Sequence, residues 1–304
     1  MKKLFVVLFA LSSWAAFAQA AASVGLTDLM YIPARGTVYG ETGVHWDSYR
    51  YQAEGTGGIF KRDYSTARQK LGYGISDHLQ LNVVYEYRGR GKQNLPGTGD
   101  DYNYRGSLNP EVGALYRVMT QGADGYNMDV YGSFSPDLWK AEIGNRHGTA
   151  AQGGMVYKAG VRAGKKNGDL EHSAVANLNY YGNTSVDGTG DTSNVKADSY
   201  YNLDLRYNAQ YNFNPDLWVR GTGRVFTTSE QATKSGGTKT TQDMQYGYGL
   251  ETALFAMIVP NTLALELGLN WARALDHDGK SAGETVTYAS NSYGGAFFNF
   301  RYQF

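Results

Sequence analysis

From Gly36 to its last residue the chain alternates apolar and polar positions over stretches of about ten residues. A period of two belongs to β-strands, in which successive side chains point to opposite faces, and helical spacing appears nowhere convincingly. The clearest run sets Leu79, Leu81, Val83, Tyr85 and Tyr87 against Gln80, Asn82, Val84, Glu86 and Arg88. Two more set Tyr201, Leu203, Leu205, Tyr207, Ala209 and Tyr211 against Asn202, Asp204, Arg206, Asn208 and Gln210, and Leu263, Leu265, Leu267, Leu269 and Trp271 against Ala264, Glu266, Gly268, Asn270 and Ala272. One face of each strand is greasy and the other mostly polar, so the fold class is all-β. Such strands suit a soluble sandwich or a membrane barrel.

Two features decide between these. Short connections near 76–78, 166–169, 214–216 and 259–261 alternate with long polar ones over 50–63, 89–106, 136–153, 183–198, 228–243 and 275–285. Short turns at one end and long loops at the other are the arrangement of outer-membrane barrels. Aromatic residues also gather at strand ends on the apolar face: Trp46, Tyr73, Tyr87, Tyr126, Tyr180, Tyr211, Tyr246 and Trp271. Amphipathic rings of this kind settle at the headgroup level as girdles. The expectation is a transmembrane antiparallel up-and-down β-barrel of about twelve strands, with both termini on the short-turn, periplasmic side. Asn167-Gly168 is expected to form a two-residue type I′ turn. The near-repeat Phe134-Ser-Pro-Asp-Leu-Trp139 and Phe213-Asn-Pro-Asp-Leu-Trp218 is read as shared Pro-Asp turn chemistry, the first copy outside and the second periplasmic.

Composition narrows the class further. The chain has 304 residues, 39 glycines, 25 tyrosines and no cysteine, which excludes disulfides and thiol chemistry. Its mean hydropathy of −0.45 leaves no room for long apolar helices in the mature chain. Basic and acidic residues balance at 28 each, which argues against a nucleic-acid partner. The first residues have the parts of a secretory signal: Lys2 and Lys3, an apolar run to Phe17, and the triplet Ala18-Gln19-Ala20. Cleavage is expected after Ala20, with Ala22 as the alternative. This divides the chain into a signal peptide (1–20), an N-terminal periplasmic segment or plug (21–35) and the barrel (36–304). The segment carries Leu26, Leu29, Met30, Tyr31 and Ile32 and is too apolar for a free tail, although an extra short strand or a mobile leader fits it as well.

The C-terminus reads Phe298-Asn-Phe-Arg-Tyr-Gln-Phe304, with aromatics at alternate positions to the end. It resembles the terminal strand of Gram-negative outer-membrane proteins of the porin type. That resemblance implies recognition by the barrel-assembly machinery, with Phe300, Tyr302 and Phe304 as the assembly signal. The layout resembles that of the small monomeric porins for acidic sugars and of the nucleoside channels, at the level of architecture alone.

In a barrel, function lies in residues that alternate into the lumen and in the outer loops. The candidate pore-lining set is Arg68, Lys70, Glu86, Glu111, Lys158, Arg162, Arg206, Arg220, Arg224, Glu251 and Glu266. Recurring inward glycines, among them Gly43, Gly72, Gly113, Gly160, Gly164, Gly247 and Gly268, favour a narrow pore over a lumen stapled shut by ion pairs. Asp100-Asp101 and Asp276-His277-Asp278 supply acids and a histidine but no complete catalytic constellation, and no serine is paired with His45, His147 or His172. Asp187-Gly-Thr-Gly-Asp191 lacks the spacing of a calcium loop. Arg88-Gly-Arg-Gly-Lys92 could clasp lipopolysaccharide phosphates or be a solvated cluster.

The expected function is a channel in the bacterial outer membrane that passes small polar or charged solutes by diffusion. No enzyme activity, metal or cofactor is expected. The expected partners are outer-membrane lipid, lipopolysaccharide, the assembly machinery and the solutes. The rival readings are a closed barrel acting as adhesin or surface receptor through its loops, and a hydrolase or protease at the barrel rim.

Overall fold

The computed structural model describes Leu26 and residues 28–53, 58–94, 101–121, 125–144, 147–189 and 193–304. The expected signal peptide and its cleavage sites lie outside the described residues. The described strands are β1 (Val38–Ala53), β2 (Gly58–Ser76), β3 (Leu79–Asn94), β4 (Asp101–Ser107), β5 (Glu111–Met119), β6 (Asn127–Ser135), β7 (Glu142–Gly144), β8 (His147–Thr149), β9 (Val156–Asn167) and β10 (Leu170–Tyr181). They continue with β11 (Thr184–Thr189), β12 (Val195–Ala197), β13 (Tyr200–Asn214), β14 (Leu217–Thr228), β15 (Gln231–Ser235), β16 (Thr238–Gln242), β17 (Gln245–Val259), β18 (Leu263–Ala274), β19 (His277–Ser281) and β20 (Glu284–Gln303).

The expected count of about twelve is therefore corrected: the described residues alone form 20 strands. The excess comes from segments expected to be outer loops, where β4, β7, β8, β11, β12, β15, β16 and β19 add paired backbone above the longer strands. The lower ladder runs β1, β2, β3, β5, β6, β9, β10, β13, β14, β17, β18 and β20, and β20 closes on β1. At the outer end a second ladder closes through β1, β2, β3, β4, β8, β7, β11, β12, β15, β16, β19 and β20. Two of its contacts, β4 with β8 and β7 with β11, are parallel. Closure removes the open edges that would otherwise invite aggregation.

Turn chemistry fixes the registers. Between β9 and β10, Asn167 pairs with Leu170, so the turn centres on Gly168 and Asp169. Only Gly168 has a positive φ, +59°, which is the type II′ pattern instead of the expected I′. The I′ pattern occurs between β15 and β16, where Gly236 and Gly237 have φ of +55° and +86°. The two Pro-Asp motifs lie at opposite ends of the ring, one after β6 and the other between β13 and β14.

The outer face is apolar. Leu81, Val83, Leu203, Leu205, Leu267 and Leu269 are exposed on it, as membrane strands require. Phe134, Tyr157, Tyr180 and Tyr201 face one another across four consecutive strands and form an upper girdle. Tyr211 lies on the same face of β13, ten residues below Tyr201. At ~3.4 Å per residue and a tilt of ~40° that spacing spans ~25 Å, the height of an outer-membrane apolar band.

Leu26 and residues 28–37 enter the short-turn end of the ring. Leu26, Met30 and Ile32 are buried, and Gly36 and Thr37 bond to the backbone beside β2. Val38 and Phe304 exchange backbone hydrogen bonds of 3.0 and 2.8 Å, fastening the first strand to the last residue.

Candidate functional site

The charged residues of the inner face form a belt. Arg68 on β2 reaches Glu41 on β1 at 3.5 Å and Glu86 on β3 at 3.3 Å. Arg301 on β20 links Glu41, at 3.4 Å, to Glu266 on β18, at 3.0 Å. Arg220 on β14 takes Glu266 at 2.8 Å and Glu251 on β17 at 3.1 Å. On the other side of the ring Asp129 on β6, fully buried, lies between Arg117 on β5 and Arg162 on β9 at 2.8 and 2.6 Å. Lys158 pairs with Glu111 at 2.5 Å. Asp204 on β13 holds Arg206 at 2.7 Å and Arg224 on β14 at 3.8 Å.

Each of these pairs joins strands that are neighbours in the lower ladder or one strand apart, or lies within one strand. The charges thus pair around the wall and not across it. Lys70 differs from the rest: among the described residues no carboxylate lies within ion-pair distance of it, and its ammonium sits 5.5 Å from the ring centre of Tyr39.

The eleven residues proposed from the sequence as pore-lining all fall on the lower ladder and take part in this belt or, for Lys70, lie beside it. Glu41, Arg117, Asp129, Asp204 and Arg301 complete it. The inward glycines have a different role from that expected. A Cβ at Gly72 would strike the Tyr39 ring, at Gly160 the Tyr131 ring, and at Gly268 the Phe297 ring. These glycines make room for neighbouring side chains and do not widen the lumen.

The short-turn end has an apolar floor that alternation did not reveal. Trp218 and Phe255 are each 1% exposed and stack at 5.3 Å with Leu26, Ala264 and Phe297 in one cluster. Arg220 and Arg301 lie 4.9 and 5.1 Å from the Phe255 ring centre, tying the belt to the floor. Trp218 and Phe255 occur in unbroken apolar runs, Leu217–Val219 and Leu254–Val259, and those runs are the signal that inward apolar positions were present.

Residues 28–34 rest on this floor and are gripped by belt side chains. The Arg162 guanidinium donates to the carbonyls of Tyr31 at 2.9 Å and Leu29 at 3.4 Å, and Arg117 donates to the Met30 carbonyl. Glu171 accepts from the Leu29 amide at 2.9 Å, and the Tyr31 hydroxyl donates to Gln303 at 2.6 Å. Gly164 leaves space for Met30, since a Cβ there would lie 2.8 Å from Met30 Cγ. Lys166 pairs with both Asp28, at 2.6 Å, and Glu171, at 3.0 Å. Burial, reinforced by the Glu171 carboxylate, pushes the Asp28 carboxyl up to about 6.

Above the belt lies a cavity of about 340 Å³ between the two ladders. Tyr49, Tyr51 and Tyr288 supply its rings, and Gln231, Gln242 and Gln245 its amides. The basic run at Arg88 is partly internal: its guanidinium lies 4.2 Å from the Tyr64 ring centre, turned into the barrel. His277 stacks on Tyr288 and its Nδ1 is 3.1 Å from the Leu275 carbonyl, while Asp278 accepts from Thr287 at 2.7 Å. These contacts hold the outer strands together. Asp100 and Asp191 lie outside the described residues.

No protein-family profile and no curated protein matches the chain. Among solved structures it is similar to an outer membrane channel from Pseudomonas putida F1, with a TM-score of 0.64 and 12% identity over 94% of this chain and 100% of that one. It is also similar to the transport unit of the autotransporter AIDA-I from Escherichia coli, with a TM-score of 0.56 and 9% identity over 95% and 94%. At these identities the likeness is one of fold. Together with the apolar outer face, it gives the chain the fold of an outer-membrane β-barrel.

Proposed function

We propose that this barrel is a diffusion channel for small polar or charged solutes, working without cofactor or catalysis. The observation that carries the proposal is the belt. Ion pairs that crossed the lumen would staple it shut, whereas pairs confined to neighbouring strands neutralise the wall without tying its opposite sides together. Solutes are sieved by width and biased by the cations held least tightly, chiefly Lys70, which faces Glu41 across the β1–β2 register without an ion-pair contact, and the distantly paired Arg224. Arg68, Glu86, Glu111, Lys158, Arg162, Arg206, Arg220, Glu251 and Glu266 line the path as compensated groups. Residues 28–34, bound at the short-turn end, form its constriction or plug.

The similarity of fold to an outer membrane channel supports this reading. Phe300, Tyr302 and Phe304 serve as the signal to the assembly machinery, and the apolar face meets lipid. Planar-bilayer recordings of the purified protein test the proposal: stepwise conductance supports it, and a silent barrel even after removal of residues 26–34 refutes it.

A further inference from the structure

The outer ladder carries a feature that a channel does not need. Lys196 on β12 is directly opposite Lys234 on β15, and Lys234 is directly opposite Lys239 on β16. All three are exposed. Gln231 and Gln242 on the same two strands line the internal cavity, so alternation turns Lys234 and Lys239, and Lys196 opposite them, to the outside. Lys280 on β19 pairs with Thr241, one diagonal step from Lys239, and extends the row.

Like charges directly opposite on adjacent strands sit with Cβ atoms about 5 Å apart and destabilise a sheet. Carboxylates occur on the same strands or their connections, at Asp198, Glu230, Asp243 and Asp278, two to four residues closer to the membrane wall. None of them forms an ion pair with Lys196, Lys234 or Lys239 within 4 Å among the described residues. A repulsive row kept on a folded surface calls for an anion with several charges spaced to match it.

The row's height identifies the chemistry. Lys239 lies seven residues above Tyr246, which marks the upper girdle. At ~3.4 Å per residue and a tilt of ~40°, this places the ammonium groups ~18 Å beyond the apolar band. A phosphodiester at the bilayer surface is too low to reach them. Phosphates carried on a saccharide headgroup that projects from the outer leaflet are at the right level.

We propose that Lys196, Lys234 and Lys239 form a binding site for the phosphorylated saccharide of an outer-leaflet glycolipid, lipopolysaccharide. The ammonium groups bridge successive phosphates, and the anion relieves their mutual repulsion. The site depends on the outer ladder facing away from the cell and is independent of conduction.

The test uses the full mature chain in detergent, titrated with lipopolysaccharide, with the same preparation after enzymatic dephosphorylation, with inorganic phosphate and with phosphatidylglycerol micelles. Wild type is expected to bind lipopolysaccharide at least tenfold more tightly than the other three ligands, and less tightly as salt rises. The triple variant Lys196→Gln, Lys234→Gln, Lys239→Gln should lose at least tenfold in affinity, and the triple Lys→Arg variant should keep it. Without lipid the Gln variant should melt no lower than wild type, because repulsion has been removed; this also checks that it folds. Equal binding by the Gln variant and wild type, or by phosphorylated and dephosphorylated lipopolysaccharide, would overturn the site. So would inorganic phosphate or phosphatidylglycerol binding as tightly as lipopolysaccharide.

Discussion

Lys70 and Arg220 are both lumen cations, yet the structure gives them opposite uses. Lys70 has no carboxylate within ion-pair distance but faces Glu41 across the β1–β2 register, so Lys70→Gln removes the cation without setting two carboxylates against each other. In the proposed channel the expected result is a shift of ion selectivity towards cations, read from reversal potentials under a salt gradient, with assembly unchanged. Arg220 is held by Glu251 and by Glu266, which is 1% exposed, over the Phe255 ring. Arg220→Glu would gather three carboxylates and cost on the order of 3–5 kcal/mol, so it should fail as a folded barrel on heat-modifiability gels before its selectivity can be measured. Strand parity alone was enough to place both residues inside. It could not tell a cation held in a bridging ion pair from one without such a contact, because that depends on register and side-chain reach between strands. Parity also missed Trp218 and Phe255, whose burial inside the barrel breaks the rule that inward means polar.

Among the elements, the segment at residues 28–34 is the one whose behaviour should depend on pH. Its Asp28 carboxyl is raised by burial and by Glu171 to about 6, from an ordinary value near 4. A group whose bound-state value is raised favours the bound state most where it is protonated. Its contribution is complete below about pH 4 and is lost as pH rises through about 6. Protease nicking within residues 26–34 should therefore be slower at pH 4.5 than at pH 7.5 after correction for protease activity, and Asp28→Asn should flatten the difference. An unchanged pH difference in Asp28→Asn would remove Asp28 from this role. The seam makes a second demand: deleting Phe304 removes both backbone bonds to Val38 and should cut the yield of inserted barrel severalfold in cells. The long strands were readable because lipid on one face and water on the other impose alternation. The outer strands were not, since both their faces are wet and their pairing rests on backbone hydrogen bonds and turns such as Gly236-Gly237.

On the scale of the molecule, two closed ladders share β1, β2, β3 and β20 and make one wall, apolar where it meets lipid and polar above. The barrel class was legible from alternation, loop asymmetry and the aromatic C-terminus together. The second ladder was not, and it moved the outer surface from loose loops to a paired rim with its own chemistry. Inside, the proposed channel divides the work between two parts: the wall-hugging belt would keep the lumen polar, and the seated segment would narrow it at the short-turn end. Single-channel recording in planar bilayers of wild type beside a variant lacking residues 26–34 tests this division most directly. Wild type should show small stepwise conductance and the deletion variant a severalfold larger one, with the barrel intact. Silence in both proteins, or equal conductance in the two, would contradict this division of work.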